Sequence, residues 1–442
     1  ATPGGGHYAP DGSEHLGDTQ TALDVEMARE STPLSECASK SSVDFTAEVN
    51  VDVTAETSVH VIESSRKVSA KASEDPVTLR EAEEIARRFR RACESYRIRL
   101  AECDPSRAVL GPNVWRFYIR LQPGQRVEAL RSALEDIGRD MSYSGLLVGS
   151  IPNSSELTLD IPRSKRELCG LEDGLAHLPR ISSPEQMPIT IGVTPEGNHI
   201  IRDLRTMPHM LVGGTTGAGK TMFLYGVLVS LLTTHPDPQT LRILLSTSKP
   251  EDFTFFEGLP HLESGTVVFD AERAIHLLEN HVGSILDERS RILIDARCRD
   301  IVEYNQKYQD KLPPIVVIVD EFADLADQLS GDRDARNAFY TEIRRIAQMG
   351  RSRGVHLVLC TQRPSADLVP TNIRTLMNAR VALRVNDAAA SRMILEEAGA
   401  EHLQLHGDML FKEHANVMRL QGYFVDTDTL EKIITGLRQN TD

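Results

Sequence analysis

The sequence predicts an α/β protein with a parallel central sheet, and three observations support this. From Pro188 onward, short apolar runs alternate with helical patterns: Met210 to Gly213, Leu241 to Ser246, Ile315 to Val319, Val355 to Cys360 and Val381 to Val385. Strands separated by helices are joined by crossovers, which make neighbouring strands parallel and bury both faces of the sheet. The octet Gly214-Thr215-Thr216-Gly217-Ala218-Gly219-Lys220-Thr221 joins the first of these runs to an apolar helical stretch, Met222 to Leu232. Finally, the composition shifts along the chain: residues 1–75 hold 14 acidic and 5 basic side chains, a net of −9 out of −15 for all 442 residues.

In chain order, residues 1–44 are rich in Gly, Ser, Thr, Pro and acids and read as a disordered segment or linker. Phe45 to Ile62 alternates in places, which is compatible with a strand, although linker is the preferred reading. Thr78-Leu79-Arg80-Glu81 has the form of a capping box, and Leu79, Ile85, Phe89, Cys93 and Tyr96 form the stripe of the helix behind it. Val114 to Leu121 alternates, with Trp115, Phe117, Ile119 and Leu121 on one face. A Pro123-Gly124 turn precedes a second helix, with Val127, Leu130, Leu134, Ile137 and Met141 at helical spacing. Short strands follow near Leu146 to Val148 and Leu157 to Ile161. The expected organisation is an acidic disordered linker over 1–77, a small α+β domain over 78–175 and a nucleotide-binding α/β domain over 176–442. The last element is one short helix at Leu430 to Leu437.

Composition narrows the function classes. No apolar run approaches the roughly 20 residues of a membrane-spanning helix, so a soluble chain without a membrane segment is expected. Ala1 in place of Met fits a piece of a larger polypeptide. Six scattered cysteines without a CxxC pair or metal spacing suit a reducing cytoplasm and no disulfides. His402 and His406 read as surface histidines. The acidic balance argues against a generally basic DNA-coating protein, so any contact with nucleic acid must be focal.

The octet is a complete phosphate-binding loop. Such a loop gathers backbone N–H groups and a helix N-terminus around nucleotide phosphates; Lys220 reaches the terminal phosphates and the Thr221 hydroxyl ligates Mg²⁺. The apolar strand Ile315 to Val319 ends in Asp320-Glu321, either a pair of surface carboxylates or the second half of an ATPase site. In the second case Asp320 holds Mg²⁺ and Glu321 polarises the attacking water. The next strand ends in Thr361-Gln362-Arg363-Pro364, where Gln362 is either an ordinary loop residue or a sensor of the γ-phosphate. Gly350-Arg351-Ser352-Arg353-Gly354 reads as a basic turn far from the chain's own phosphate loop. An arginine there either balances a helix C-terminus or enters a neighbouring subunit's site.

Taken in order, these motifs resemble the FtsK/SpoIIIE DNA translocases over roughly Leu79 to Asp426. The resemblance is carried by Met207-Pro208-His209-Met210-Leu211-Val212, Phe256-Glu257-Gly258-Leu259-Pro260-His261-Leu262 and Val319-Asp320-Glu321-Phe322-Ala323-Asp324-Leu325. It continues through Gly354 to Ser365, Gly407-Asp408-Met409-Leu410 and Gly422-Tyr423-Phe424-Val425. It implies a RecA-like P-loop ATPase domain, a hexameric ring around double-stranded DNA, and ATP with Mg²⁺ bound between subunits. By position it implies that Arg351 is the trans-acting arginine and that Arg363, Arg374 and Arg392 face the DNA backbone. Three departures stand out. Thr247-Ser248-Lys249 replaces the family's Asp-Pro-Lys, Ala388 replaces a basic loop residue (with Arg384 nearby), and no sequence-reading winged-helix module follows Val425. The last departure fits a restriction or antiviral defence protein, such as the DptH-type component of phosphorothioate-dependent restriction, working with nuclease or other restriction subunits. The rival readings are a protein-secretion ATPase of the same superfamily and a nucleotide-gated interaction module.

Overall fold

The computed structural model describes residues 70–71 and 74–439. The segment expected to be a linker, including the alternating Phe45 to Ile62 stretch, lies almost wholly outside these residues. Where it is described, the expectation changes: Ala70–Lys71 (β1) pairs antiparallel with Val109–Leu110. The first helix, Pro76–Ser95 (α1), is capped by Asp75 and not by Thr78. The Asp75 carboxylate accepts the Thr78 backbone N–H at 2.8 Å and its hydroxyl at 2.6 Å. Asp is a strong N-cap and Pro76 brings a φ already suited to the first turn, so this pair outcompetes the capping box.

The first part of the described chain, residues 70–162, is built on an antiparallel sheet. Its strands are β1, Leu100–Cys103 (β2), Val109–Leu110 (β3), Val114–Leu121 (β4), Leu147–Ser150 (β5) and Leu157–Pro162 (β6), with Val127–Met141 (α2) between β4 and β5. The alternation in β4 buries Trp115, Phe117 and Ile119 against Phe89 of α1 and Leu130 and Ile137 of α2 in one apolar cluster. Its other face turns Arg116 towards Asp160, its register partner on β6.

The second half is a nine-stranded sheet made of Pro188–Val193 (β7), His199–Asp203 (β8), His209–Gly213 (β9), Arg242–Ser246 (β10), Ile315–Val319 (β11), Val355–Thr361 (β12), Ala379–Leu383 (β13), Asp408–Glu413 (β14) and Asn416–Gln421 (β15). The order is β10-β11-β12-β9-β13-β14-β15-β7-β8. The five strands expected from the sequence are mutually parallel, and β14, β15, β7 and β8 extend them antiparallel. Strand alternation divides the apolar residues into two cores. Val212, Leu245, Ile318 and Cys360 face one side with the helix Lys220–Thr234 (α3), while Leu211, Leu244, Val317 and Leu359 face the other with the helix Arg333–Arg353 (α4). Because α3 is buried on nearly all sides, its sequence is apolar without a polar face.

All five parallel strands end at the same edge, so the phosphate loop after β9, Thr247 after β10, Asp320 after β11, Gln362 after β12 and Arg384 after β13 converge there. This is the edge where open α/β sheets bind ligands. At the opposite edge, Gly350 to Arg353 form the last turn of α4, closed by Gly354 at φ 65°. The expected basic turn is therefore a helix terminus.

His209 on β9 and His356 on β12 lie side by side in the sheet, each 1% exposed. Burial lowers His209 from its usual 6.5 to about 4 and His356 to about 3, the latter also pushed down by His209. Below the ordinary histidine value the unfolded chain takes up protons that the folded chain refuses, so their contribution is complete above about pH 6.5 and is lost as pH falls towards 4. Thermal melts from pH 8 to 5 should show stability falling below pH 6.5, on the order of 2 kcal/mol per histidine by pH 5. His356→Leu should flatten that slope. A melting temperature constant over the range would contradict the buried neutral pair.

Candidate functional site

The loop after β9 reaches its shape through glycine. Gly217 and Gly219 have φ of 77° and 112°, a region costly for residues with a Cβ. Neighbouring strands brace the loop: Gly214 N–H donates to Thr361 O at 3.2 Å, and Thr215 N–H donates to Arg384 O at 2.8 Å. The N–H groups of Thr216, Gly217 and Gly219 donate to no carbonyl of the described chain. The first N–H groups of α3, which starts at Lys220, have no intrahelical acceptor either. The result is a cradle of backbone donors at a helix N-terminus, the arrangement that binds phosphate.

Lys220 is 5% exposed and lies between the ends of β9 and β11. Its Nζ donates to Asp320 O at 2.8 Å and Glu321 Oε2 at 3.2 Å, with Asp320 Oδ1 at 3.4 Å. Burial alone would lower the ammonium pKa, but Asp320 and Glu321 together raise it above the ordinary lysine value. Each carboxylate is also held by a threonine. Thr361 Oγ1 donates to Glu321 Oε1 at 2.8 Å and Thr247 Oγ1 donates to Asp320 Oδ2 at 3.1 Å. Gln362 N–H adds a 2.9 Å bond to Glu321 Oε2, and Gln362 Oε1 accepts the Thr216 hydroxyl at 2.7 Å. Asp320 Oδ1 is buried without a hydrogen-bond partner. An orphaned carboxylate oxygen and the Thr221 hydroxyl at the same cavity are hard oxygen donors of the kind Mg²⁺ takes, so the residues fit that ion.

A cavity of about 390 Å³ opens beside this cluster, lined by Thr215 to Gly217, Gly219 to Met222, Lys249 and Gln362. Its far wall is His406, Gly407, Gln421, Gly422 and Tyr423, with the exposed apolar side chains of Leu168 and Phe424 at the mouth. Here the structure explains motifs that local sequence does not interpret. Gly407 N–H donates to Ala218 O at 2.8 Å, and a Cβ on Gly219 would lie 2.8 Å from Gly407 N. The strand β14 thus begins pressed against the phosphate loop. The Tyr423 hydroxyl is held at 2.8 Å by His199 Nδ1.

The arginines named from the sequence have different settings. Arg351 is exposed at the end of α4, and its guanidinium makes no hydrogen bond or ion pair within the described chain. Its carrier turn is fixed by Arg289, a 5% exposed guanidinium that donates to Arg353 O and Pro313 O, both at 2.6 Å. Burial lowers the Arg289 pKa to about 10. Arg353 is engaged with Ser290 Oγ at 2.6 Å. Arg392, on the helix Ala388–Leu395 (α5), is exposed, and its side chain has no partner among the described residues. Arg363 forms ion pairs with Asp324 at 3.0 Å and Asp327 at 2.7 Å. Arg374 is half-buried and donates to Thr371 Oγ1 and Met393 O. The structure brings Lys220, Thr221, Asp320, Glu321 and Gln362 together and leaves Arg351 at the other edge of the sheet, the length of β12 away, about 20 Å at ~3.3 Å per residue.

Residues 175–366 match the model of the FtsK/SpoIIIE family. The chain is 32% identical over 336 residues to the DNA translocase FtsK of Campylobacter jejuni subsp. jejuni serotype O:2, covering 74% of this chain and 35% of that protein. It is equally similar, 32% over 336 residues, to the DNA translocase SftA of Bacillus subtilis, covering 74% of this chain and 34% of that protein. The chain thus spans about a third of the length of these two relatives. Among solved structures, the cytoplasmic domain of the Thermomonospora curvata type VII secretion ATPase EccC shares the fold. It has a TM-score of 0.52 at 24% identity and covers 60% of this chain and 32% of that one.

The buried cluster makes stability predictions of opposite sign. Lys220→Met removes the one cation that pairs with these two buried carboxylates among the described residues and should cost roughly 3–5 kcal/mol, as expected when one partner of a buried ion pair is lost. Glu321→Gln leaves Lys220 and Asp320 balanced and should leave stability unchanged or higher. Urea unfolding of the nucleotide-free chain near pH 7.5 measures both. Equal losses in the two variants would mean that charge balance does not govern this site.

Proposed function

Residues 175–366 belong to the FtsK/SpoIIIE family, and from that premise we propose that the chain is the ATP-driven motor of a double-stranded DNA translocase working as a homohexameric ring. The observation that carries this reading is the edge cluster, in which a phosphate-loop lysine bonds two strand-end carboxylates and Gln362 bonds one of them.

ATP fits the cavity with its phosphates on the backbone donors of 214–221 and its base towards Tyr423, Leu168 and Phe424, which provide the apolar wall that a base needs. Lys220 exchanges its carboxylate contacts for the terminal phosphates. Thr221 and Asp320 hold Mg²⁺, which when bound neutralises the phosphate charge. The freed Glu321, still fixed by Thr361, orients the attacking water and accepts its proton. Gln362 donates its backbone N–H to the Glu321 carboxylate and accepts the Thr216 hydroxyl through its side chain, a position suited to sensing the γ-phosphate. Arg351 cannot serve its own chain's loop from the opposite edge, so its free guanidinium suits the site of a neighbouring subunit. That geometry supports a ring. Contact with duplex is assigned to Arg363, Arg374 and Arg392 through the phosphate backbone, which carries grip without sequence. Arg392 is ready for that contact, whereas Arg363 must give up Asp324 and Asp327. A place in a DNA restriction or defence system, with nuclease or other restriction subunits as partners, completes the proposal.

ATP hydrolysis by the chain with and without long linear duplex tests the reading. Strong stimulation by duplex, lost in Glu321→Gln, is the expected result; turnover indifferent to DNA at any salt would point to a polypeptide cargo. Glu321→Gln should bind nucleotide normally while turnover falls roughly 10²–10⁴-fold. Arg351→Ala should also keep binding and lose turnover, by about 10³-fold or more; normal hydrolysis would refute the trans assignment. Arg392→Ala should weaken duplex binding evenly across sequences and lower the salt slope by about 1. Restriction of incoming plasmid or phage that survives Glu321→Gln would refute the defence role.

A further inference from the structure

A chain of buried charges runs from the antiparallel sheet to the strand that backs the phosphate loop. Asp408, the first residue of β14, is fully buried, and its two carboxylate oxygens accept from four donors. Asn113 Nδ2 and Arg419 Nε reach Oδ1 at 2.8 and 3.0 Å, while Arg419 Nη2 and Gln404 N–H reach Oδ2 at 2.7 and 2.8 Å. The Arg419 Nη1 nitrogen is buried without a hydrogen bond and points towards Asp160 Oδ2 at 3.9 Å. Asp160 on β6 is gripped bidentately by Arg116 on β4, at 2.7 and 2.8 Å, and Arg116 continues to Glu196 in the β7–β8 turn at 2.9 Å.

At the other end, the residue before Asp408 is Gly407, which meets the loop backbone at Ala218 and Gly219 as described above. His406 N–H donates to Gly217 O at 3.3 Å, and Gly407 O accepts Gly422 N–H at 2.7 Å. Residues 406–408 are therefore fixed on one side to 217–219 and on the other to Arg419. Buried ion pairs of this kind contribute little net stability compared with apolar packing, but they tolerate only one geometry. That makes them suited to fixing a position.

We propose that Asp408 and Arg419 are positioning residues for the phosphate loop, and that Arg116 and Asp160 of the antiparallel sheet set nucleotide affinity through them. None of Arg116's side-chain hydrogen bonds goes to the loop, so an effect of Arg116 on nucleotide that is shared with Asp408 points to the path through Asp160 and Arg419. This inference rests on the nucleotide-binding part of the proposed function but needs neither hydrolysis nor DNA.

The test is equilibrium binding of fluorescent mant-ADP to the full chain as wild type, Asp408→Asn, Arg116→Lys and the double variant. Hydrogen exchange is followed across residues 214–221 and across α1. Each single variant should weaken binding roughly tenfold, within the usual range for coupled sites. The double should be no weaker than the worse single, because both break one path. Exchange should quicken in 214–221 and stay unchanged in α1. Wild-type affinity in Arg116→Lys, or single effects that multiply in the double, would overturn the proposal. Arg116→Lys keeps the charge and loses the guanidinium fork that holds Asp160, so it decides the matter even if Asp408→Asn does not fold. A chain that binds mant-ADP but hydrolyses no ATP would sink the motor reading and leave this one standing.

Discussion

The edge of the parallel sheet is organised around a single ammonium group. Asp320 and Glu321 are adjacent, nearly buried and of the same charge, an arrangement that desolvation and mutual repulsion would oppose if no cation lay between them. Lys220 supplies that cation from the neighbouring loop. The loop and the end of β11 are consequently held in register before any ligand arrives. The threonines at the ends of β10 and β12 then direct each carboxylate, which leaves Asp320 Oδ1 as the unsatisfied atom. A ligand that brings phosphate and a divalent ion replaces contacts that already have the right charges, so little reorganisation is needed.

The loop has a second support on its other side. Glycine at 219 allows the loop backbone to approach Gly407 more closely than a side chain there would permit, and the Asp408–Arg419 pair fixes the second backbone from behind. The phosphate loop therefore lies between an ionic cluster that a ligand can rearrange and an ionic chain whose nearer members, Asp408, Arg419 and Asp160, are buried.

Departures from the expected motif gain a physical meaning here. Thr247, where the family places Asp, donates to Asp320 and keeps the second strand end tied to that carboxylate. A third acid at that point would have added another negative charge to a cluster that has only one cation. Arg384, noted as an extra charge near Ala388, contributes through its backbone carbonyl, which holds Thr215.

The sequence by itself determined the parallel core, the phosphate loop, the Asp320-Glu321 strand end and Gln362. Each of these is a local pattern, in which an apolar run fixes the strand and the next residues must emerge at its tip. It also indicated the helices of the antiparallel half, because their stripes repeat within a few turns. Only the tertiary structure decided the cap at Asp75, the antiparallel extension of the sheet, and the roles of Thr247, Thr361, Arg289 and Asp408. It also decided which arginines are free, with Arg351 and Arg392 exposed while Arg363 and Arg374 are engaged. Those facts depend on contacts such as Asn113 with Asp408, 295 positions apart. The worth of a charged side chain is set by what surrounds it, and no local pattern encodes its surroundings.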